Sequence, residues 1–498
     1  MRKGRRILKK QKSLKINFIF YAIKSAMAVL FPLISFPYAS RILGVAGIGK
    51  VQYCSSIISY FALVASLGIS TYAIREAVKL RDDRKSFSKF AKEIFTINLI
   101  STLFTYVVLF LCILFHLFDG YIVILLSYSL SIICTTLSVE WIYQAEEEYV
   151  YISIRTILVQ FIALIFMFLF VKTEKDTLAY SLVLVFSSGG YCIFNLIHAK
   201  KYVDFGIKVK LELLKHIKSI MIIFGTNIAS SIYLNLDMVM LGWIYGDYQV
   251  GLYSAAVKIN VIIRGLINSI STVLLPRLSL YQEEQKKMKY LSLLRKGLQI
   301  TLLFSISSAV GLICLSEEII LLFSGKDFLQ ASTTCCILAI NLIFSTLDNV
   351  IYWQILIPHH FEKKGCFGTI IGALMNLILN ALLIPSFLIE GAAIASLLSE
   401  LTVFIFFLYH IRKILPISEL FRETYKLLIG ALGIAISVML IKKMIDILIL
   451  KIIISVVVAV ILYFSILVIL KYTIVLDELF LRLIYLKKFT ERIRKSDE

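Results

Sequence analysis

The stretch from Ile452 to Leu470 reads IIISVVVAVILYFSILVIL, without one charged residue. A helix rises about 1.5 Å per residue and the hydrocarbon core of a bilayer is about 30 Å thick, so roughly 20 such residues cross it. Measured outward from this run with the same ruler, the chain offers fourteen spans: 17–39, 51–73, 93–115, 121–139, 152–171, 177–197, 219–242, 251–275, 297–315, 331–357, 366–385, 390–411, 427–445 and 452–470. Composition agrees. Of the 498 residues, 59% are hydrophobic and 17% charged, with a mean hydropathy of +0.88, which excludes a water-soluble globular enzyme. The chain reads as an all-α integral membrane protein.

Charge gives the direction of threading. The formal net charge of +20 could serve nucleic acid only if the bases shared one soluble face, and they lie instead in short clusters between apolar runs. With the N-terminus inside, the cytoplasmic segments together with the adjoining span end at Arg155 hold 41 of the 52 Lys and Arg residues, the opposite loops together with the span end at Lys442 and Lys443 hold 8, and Lys24, Lys258 and Arg264 within spans make up the other 3. Cytoplasmic loops retain positive charge, so an even number of spans with both termini inside is expected. The first apolar run is too long for a secretory signal and lacks a small-residue cleavage site, so it reads as a permanent span. Pro32 and Pro37 are expected to bend or end its outer half, because proline removes a backbone hydrogen bond. The eight cysteines lie mostly in apolar stretches without a CxxC spacing and read as small buried hydrophobes.

Two stretches about two hundred residues apart repeat one pattern. Arg41-Ile42-Leu43-Gly44 leads through Gly47 and Gly49 to Tyr53-Cys54-Ser55-Ser56; Met240-Leu241-Gly242 leads through Gly246 and Gly251 to Tyr253-Ser254-Ala255-Ala256. An even number of spans separates them, which gives both copies the same orientation and suggests parallel repeats about an axis along the membrane normal. The expected organisation is a basic N-terminus (1–16), an N-lobe of six helices (17–210), a pseudo-symmetric C-lobe of six (211–415), two appended helices (416–475) and a charged tail (476–498).

Candidate chemistry lies in the charges within spans. Gly44-x-x-x-x-Gly49-Lys50 nearly spells a P-loop, but Val51 stands where Ser or Thr should hold magnesium and a spanning helix precedes it where a strand should. No HExxH or GxSxG occurs, and His359-His360 have no further ligands nearby in sequence, so neither a metal nor a catalytic site is indicated. Ionisable residues in a span are costly, which makes Lys24, Asp237, Lys258, Arg264, Asp348 and Glu400 candidates. Two readings stand for each. Asp237 could pair with Lys258, Arg264 could pair with Asp348 or Glu400, and Lys24 could snorkel to the interface. Alternatively, Arg264 presents a fork suited to phosphate oxygens in a water-filled cavity, and Glu400 takes up a proton or a cation. Gly368-x-x-x-Gly372, Asn376 and Asn380 read as helix-packing positions, and Glu140-Trp141-Ile142-Tyr143-Gln144 as either an inner gate or an interfacial belt.

Several runs carry a family resemblance. Phe31-Pro32-Leu33-Ile34-Ser35-Phe36-Pro37-Tyr38-Ala39-Ser40-Arg41-Ile42-Leu43-Gly44, Ala65-Ser66-Leu67-Gly68-Ile69-Ser70 with Arg75-Glu76, Leu236-Asp237-Met238-Val239-Met240-Leu241-Gly242, the run Val250 to Ile259, and Asn376 to Asn380 through Pro385 to Gly391-Ala392-Ala393-Ile394-Ala395 together resemble polysaccharide repeat-unit flippases of the Wzx type, in the multidrug/oligosaccharidyl-lipid/polysaccharide exporter superfamily. The resemblance spans about the whole chain. It implies a MATE-like fold of two six-helix lobes around a cationic cavity, and export of an undecaprenyl-diphosphate-linked oligosaccharide across a bacterial inner membrane by alternating access, with H+ or Na+ coupling in some members and no other cofactor. Arg41, Arg75, Asp237 and Lys258 occupy positions recognisable in that family, and Lys24 one that is often polar or basic there; with the residues singled out by their depth, Lys24, Arg41, Lys258 and Arg264 are the expected substrate-binding cations and Asp237, Asp348 and Glu400 the expected residues for ion coupling or gating. Met238 stands where the family often has Lys, which removes one charge from the set. A polysaccharide polymerase and chain-length machinery are the implied partners. A cationic-drug antiporter would show an acid-dominated cavity, a lipid-linked peptidoglycan precursor flippase would share the diphosphate logic, and a polymerase or ligase would present a large outer loop.

Overall fold

The computed structural model describes residues 14–412 and 416–476, so nearly all of the expected basic N-terminus and charged tail lies outside the described residues. Every regular element among the described residues is helical, and the chain divides into two compact units, residues 1–239 and 240–498. The first holds α1 (Leu14–Ser66), α2 (Ile69–Leu80), α3 (Arg84–Leu114), α4 (Ile122–Ser138), α5 (Glu140–Ala145), α6 (Tyr149–Phe170), α7 (Thr177–Gly189), α8 (Cys192–Ala199) and most of α9 (Leu214–Tyr245). The second holds α10 (Asp247–Glu283), α11 (Lys287–Cys314), α12 (Ser316–Phe323), α13 (Ser332–Val350), which continues as a π-helical turn over Ile351–Leu356, α14 (Glu362–Ile411), α15 (Ile417–Leu420), α16 (Thr424–Met444) and α17 (Leu448–Ile469).

Among the described residues, eleven stretches are long and apolar enough to cross a membrane, so the expected count of fourteen is not reproduced as separate elements. Merging explains part of the difference. The runs expected as spans at 17–39 and 51–73 fall in one stretch of 55 residues (Ala26–Leu80), and those at 366–385 and 390–411 in one of 50 residues (Glu362–Ile411). At 1.5 Å per residue either stretch would far exceed a bilayer if straight, so each must break. In α1 the non-helical residue is Gly44 (φ 66°, ψ −177°), while the helix runs on through Pro32 and Pro37. The break thus falls at the glycine and not at the prolines, because that backbone region is open essentially to glycine alone. In α14 the break is Leu388 (φ 51°, ψ −125°). A Cβ on Gly368 would collide with Phe407, so the two arms of α14 fold back and pack closely where Gly368 leaves room. Asn380 Nδ2 donates to Asn376 Oδ1 at 3.1 Å, and both side chains are fully buried, which matches their reading as packing positions.

The repeat seen in sequence has a partial backbone counterpart. Gly246, before α10, takes φ 79° and ψ −170°, nearly the conformation of Gly44, whereas Gly242, which the pattern sets opposite Gly44, stays helical within α9. The two appended helices are integral to the second unit. Leu427, Ala431, Ile434, Tyr463 and Leu467 share one buried cluster with Leu298, Leu302 and Ile306 of α11, and Lys442 Nζ lies 3.0 Å from the buried Glu318 carboxylate. Gly430 allows the approach of α16 to α17, since a Cβ there would stand 2.7 Å from the Tyr463 ring.

Gly44→Ala should therefore destabilise the detergent-solubilised protein by about 1–3 kcal/mol, although nothing lies within 4 Å of the added Cβ. Gly311→Ala, equally uncrowded but helical, should be neutral or stabilising by up to about 1 kcal/mol. Equal melting temperatures for the two variants would refute the backbone argument.

Candidate functional site

Val139 sets where Glu140 points. Helix α4 stops at Ser138, and Val139 takes a left-handed backbone (φ 40°, ψ 37°) before α5 opens at Glu140. A β-branched residue there is strained, so its surroundings must hold it. Asn195 of α8 supplies one hold, donating from Nδ2 to the Ser138 carbonyl at 2.9 Å, and the Tyr143 hydroxyl donates in turn to the Asn195 carbonyl. The swerve turns Glu140 toward two cations. Lys24 Nζ of α1 lies 2.8 Å from Oε1, and Arg155 Nη2 of α6 lies 3.0 Å from Oε2.

Arg155 is only 8% exposed, and its guanidinium rests 3.9 Å from the centre of the Tyr191 ring, with Tyr143 and Tyr151 at 5.8 Å and 5.7 Å. Three electron-rich ring faces partly replace the water it has lost. Its Nε and Nη1 donate to no acceptor among the described residues. Beside Glu140 opens a pocket of about 200 Å³, walled by polar side chains that include Ser70, Asn98, Thr135, Gln144 and Ser188.

In the second unit, Asp348 and Glu400 are each 6% exposed and their carboxyl groups adjoin. Among the described residues no Lys or Arg forms an ion pair with either, so the expected partnership of Arg264 with one of these acids is not formed. Arg264 is half-buried on α10 and Lys258 lies two turns earlier on the same helix. Asp237 is buried in α9 beside Tyr60. Arg41 is exposed and donates to the Pro37 carbonyl at 2.6 Å, and Lys50, the lysine of the false P-loop, sits over the Tyr121 ring. Lys24 does not snorkel; it is spent on Glu140. The sequence places Glu140 in a run that reads as either an inner gate or an interfacial belt, and Arg155 counts there with the loop charges. The usable signal was that Arg155 lies inside the run read as a span, where a lone arginine demands a counter-charge.

A second cluster fastens the segment before α9. Buried Glu93 receives His216 Nε2 at 3.0 Å and the Glu212 amide at 2.9 Å, while His216 Nδ1 meets the Tyr72 hydroxyl at 2.7 Å. Lys89 and Lys215 bridge to the more exposed Glu212 at 3.3 Å and 3.1 Å.

Helices of this length and number, with buried charge in both units, define a multi-pass membrane protein architecture. The same fold occurs in the solved structure of lipid II flippase MurJ in an inward closed conformation (TM-score 0.70, 20% identity, 92% of this chain and 98% of that one) and in an inward-facing multidrug resistance MATE family transporter of the MOP superfamily (TM-score 0.63, 17% identity, 82% and 99%). The family described as "Polysaccharide biosynthesis protein" matches residues 14–282, more than half of the chain, and the chain belongs to that family. It is similar to the "Putative O-antigen transporter" of Escherichia coli (strain K12), at 25% identity over 409 residues that cover 80% of this chain and 97% of the relative. It is also similar to the capsular polysaccharide biosynthesis protein CapF of Staphylococcus aureus, at 24% identity over 377 residues, 74% of this chain and 91% of that one.

Hydrogen bonds from Lys215 and Lys89 hold the Glu212 carboxyl below the usual glutamate range. An acid whose folded pKa is depressed stabilises the fold above its unfolded pKa of about 4.3, and that contribution is lost as the pH falls through the folded value. The melting temperature should drop on acidification below about pH 5, and Glu212→Gln should flatten that drop. An unchanged slope would remove Glu212 from the fastening of this segment.

Proposed function

We propose that the protein is a flippase that carries an undecaprenyl-diphosphate-linked oligosaccharide repeat unit from the cytoplasmic to the outer leaflet of a bacterial inner membrane, for surface polysaccharide synthesis. The observation that carries this reading is the near-complete correspondence with an O-antigen transporter relative, 97% of whose length is matched, within a polysaccharide biosynthesis family. The chemistry fits. A polyprenyl tail can remain in lipid while the diphosphate and sugars cross, so the protein must offer cations to the phosphates and polar groups to the hydroxyls. Lys24, Arg41, Lys258 and Arg264 are the cations assigned to that task, and the process moves the substrate by alternating access without changing a covalent bond.

The adjoining Asp348 and Glu400 suit coupling, because two carboxylates side by side repel unless a proton or a cation such as Na+ sits with them. Asp237 is assigned to the same coupling or gating function. The concentration of Lys and Arg in alternate loops supports cytoplasmic termini. A polysaccharide polymerase and its chain-length partner would receive the product at the outer face.

The test is transfer of a radiolabelled undecaprenyl-diphosphate oligosaccharide across proteoliposomes containing the purified protein, with and without a pH gradient, beside a cationic dye. Sugar-lipid transfer without dye export is expected; dye export alone would replace this reading with drug antiport. In the same assay Arg264→Ala should abolish transfer while the protein stays in the membrane, and wild-type transfer by that variant would take Arg264 out of the mechanism. Glu400→Gln should leave any residual transfer indifferent to the pH gradient, an expectation that a normal gradient response would overturn.

A further inference from the structure

We propose that Lys24 and Arg155 form an anion site in the first unit that the chain fills with its own Glu140 carboxylate, and that an incoming diphosphate displaces this carboxylate. The inference rests on the flippase reading for the identity of the anion, and on three observations for the site itself. First, the cluster is unbalanced, with two cations at 2.8 Å and 3.0 Å from a single carboxylate. Second, Arg155 is held almost entirely out of water, yet its closest approach to Glu140 is Nη2 at 3.0 Å, and Nε and Nη1 donate to nothing among the described residues. A guanidinium carries five N–H donors, so most of its capacity for phosphate oxygens is unused. Third, Glu140 itself lines the polar pocket, so a ligand entering there meets the carboxylate first.

The local backbone suits exchange. Glu140 is the first residue of a six-residue helix that follows the strained Val139, and it is 22% exposed, whereas Arg155 is fixed among Tyr143, Tyr151 and Tyr191. The anion is the member of the cluster that can leave. A diphosphate carries more charge and more acceptor oxygens than one carboxylate, and the neighbouring Ser70, Asn98, Thr135 and Ser188 offer hydrogen bonds to sugar hydroxyls attached to it. Removing the internal competitor should raise apparent affinity in proportion to the fraction of time it blocks the site.

The full chain in nanodiscs is titrated with undecaprenyl diphosphate, inorganic pyrophosphate and undecaprenol, and melting temperatures are recorded with and without each. Glu140→Gln should lower the melting temperature of the ligand-free protein, since it leaves a buried cation unpaired, and should bind undecaprenyl diphosphate about tenfold more tightly than wild type. Undecaprenol should bind both alike. A parallel gain for pyrophosphate identifies the diphosphate group alone as the ligand; a gain confined to undecaprenyl diphosphate identifies the lipid-borne form. A folded Glu140→Gln protein with no gain for either anion would overturn the proposal. Should that variant fail to fold, Arg155→Lys keeps a charge for Glu140 but loses the fork, and undiminished undecaprenyl diphosphate binding by it would be equally fatal. Wild-type protein that transfers lipid-linked oligosaccharide while Glu140→Gln shows no gain defeats this proposal alone. Absent transfer, with a pyrophosphate gain intact, defeats the flippase reading and leaves the anion site standing.

Discussion

Lipid offers no hydrogen bonds, and that constraint governs this structure. Every backbone amide and carbonyl in the membrane must be satisfied inside a helix or by a neighbouring side chain, so a break in a helix needs both a residue that tolerates it and a partner for what it frees. Gly44 and Gly246 supply the tolerance at two breaks with nearly the same backbone conformation. Near the Leu388 break, Tyr245 donates its hydroxyl to the Pro385 carbonyl at 2.8 Å. At Val139, Asn195 serves the Ser138 carbonyl. Where the chain departs from helix, a polar side chain from another element tends to be waiting.

The same constraint sorts the charges. Outside the long helices they pair loosely at exposed positions such as Lys79 with Glu76 and Lys286 with Glu284. Three buried or half-buried carboxylates each sit between two basic groups: Glu318 between Lys442 and Lys451, Glu93 between His216 and Lys215, Glu140 between Lys24 and Arg155. The first two tie helices or fasten a segment. The third differs because a polar pocket adjoins it and the arginine keeps unused donors.

Much of the fold was legible in the sequence because hydropathy reports directly on the solvent a segment will meet. The helices Leu448–Ile469 and Tyr149–Phe170 lie within a few residues of the runs read as spans at 452–470 and 152–171. The helix breaks were harder. Pro32 and Pro37 looked like interruptions, yet a membrane helix accommodates proline, while Gly44 interrupts because it alone can hold that backbone. The site was half legible. Depth picked out Lys24, Asp348 and Glu400 as costly residues, but which charge faces which depends on rotation and tilt. One sequence encodes those only through packing. Arg155 was hidden by its place near the end of a span, where loop charges and buried charges look alike in a count.

A carrier for a diphosphate faces a difficulty that a carrier for a neutral solute does not. The cations that attract the substrate must still be buried after it leaves, and an uncompensated buried guanidinium costs several kcal/mol. Water can cover such a charge only if the site stays wet, which weakens the very interactions the site needs. A tethered carboxylate solves both problems at once. It offsets one of the two positive charges of Arg155 and Lys24 when no substrate is present, and because it is a single anion it yields to a ligand with more charge and more oxygens. The tyrosine cage around Arg155 fits this cycle, since ring faces stabilise a cation without competing for its N–H donors. The geometry at Glu140 is therefore best understood as the empty state of a binding site rather than as a structural ion pair, which would leave neither spare donors on the arginine nor a polar pocket at the carboxylate.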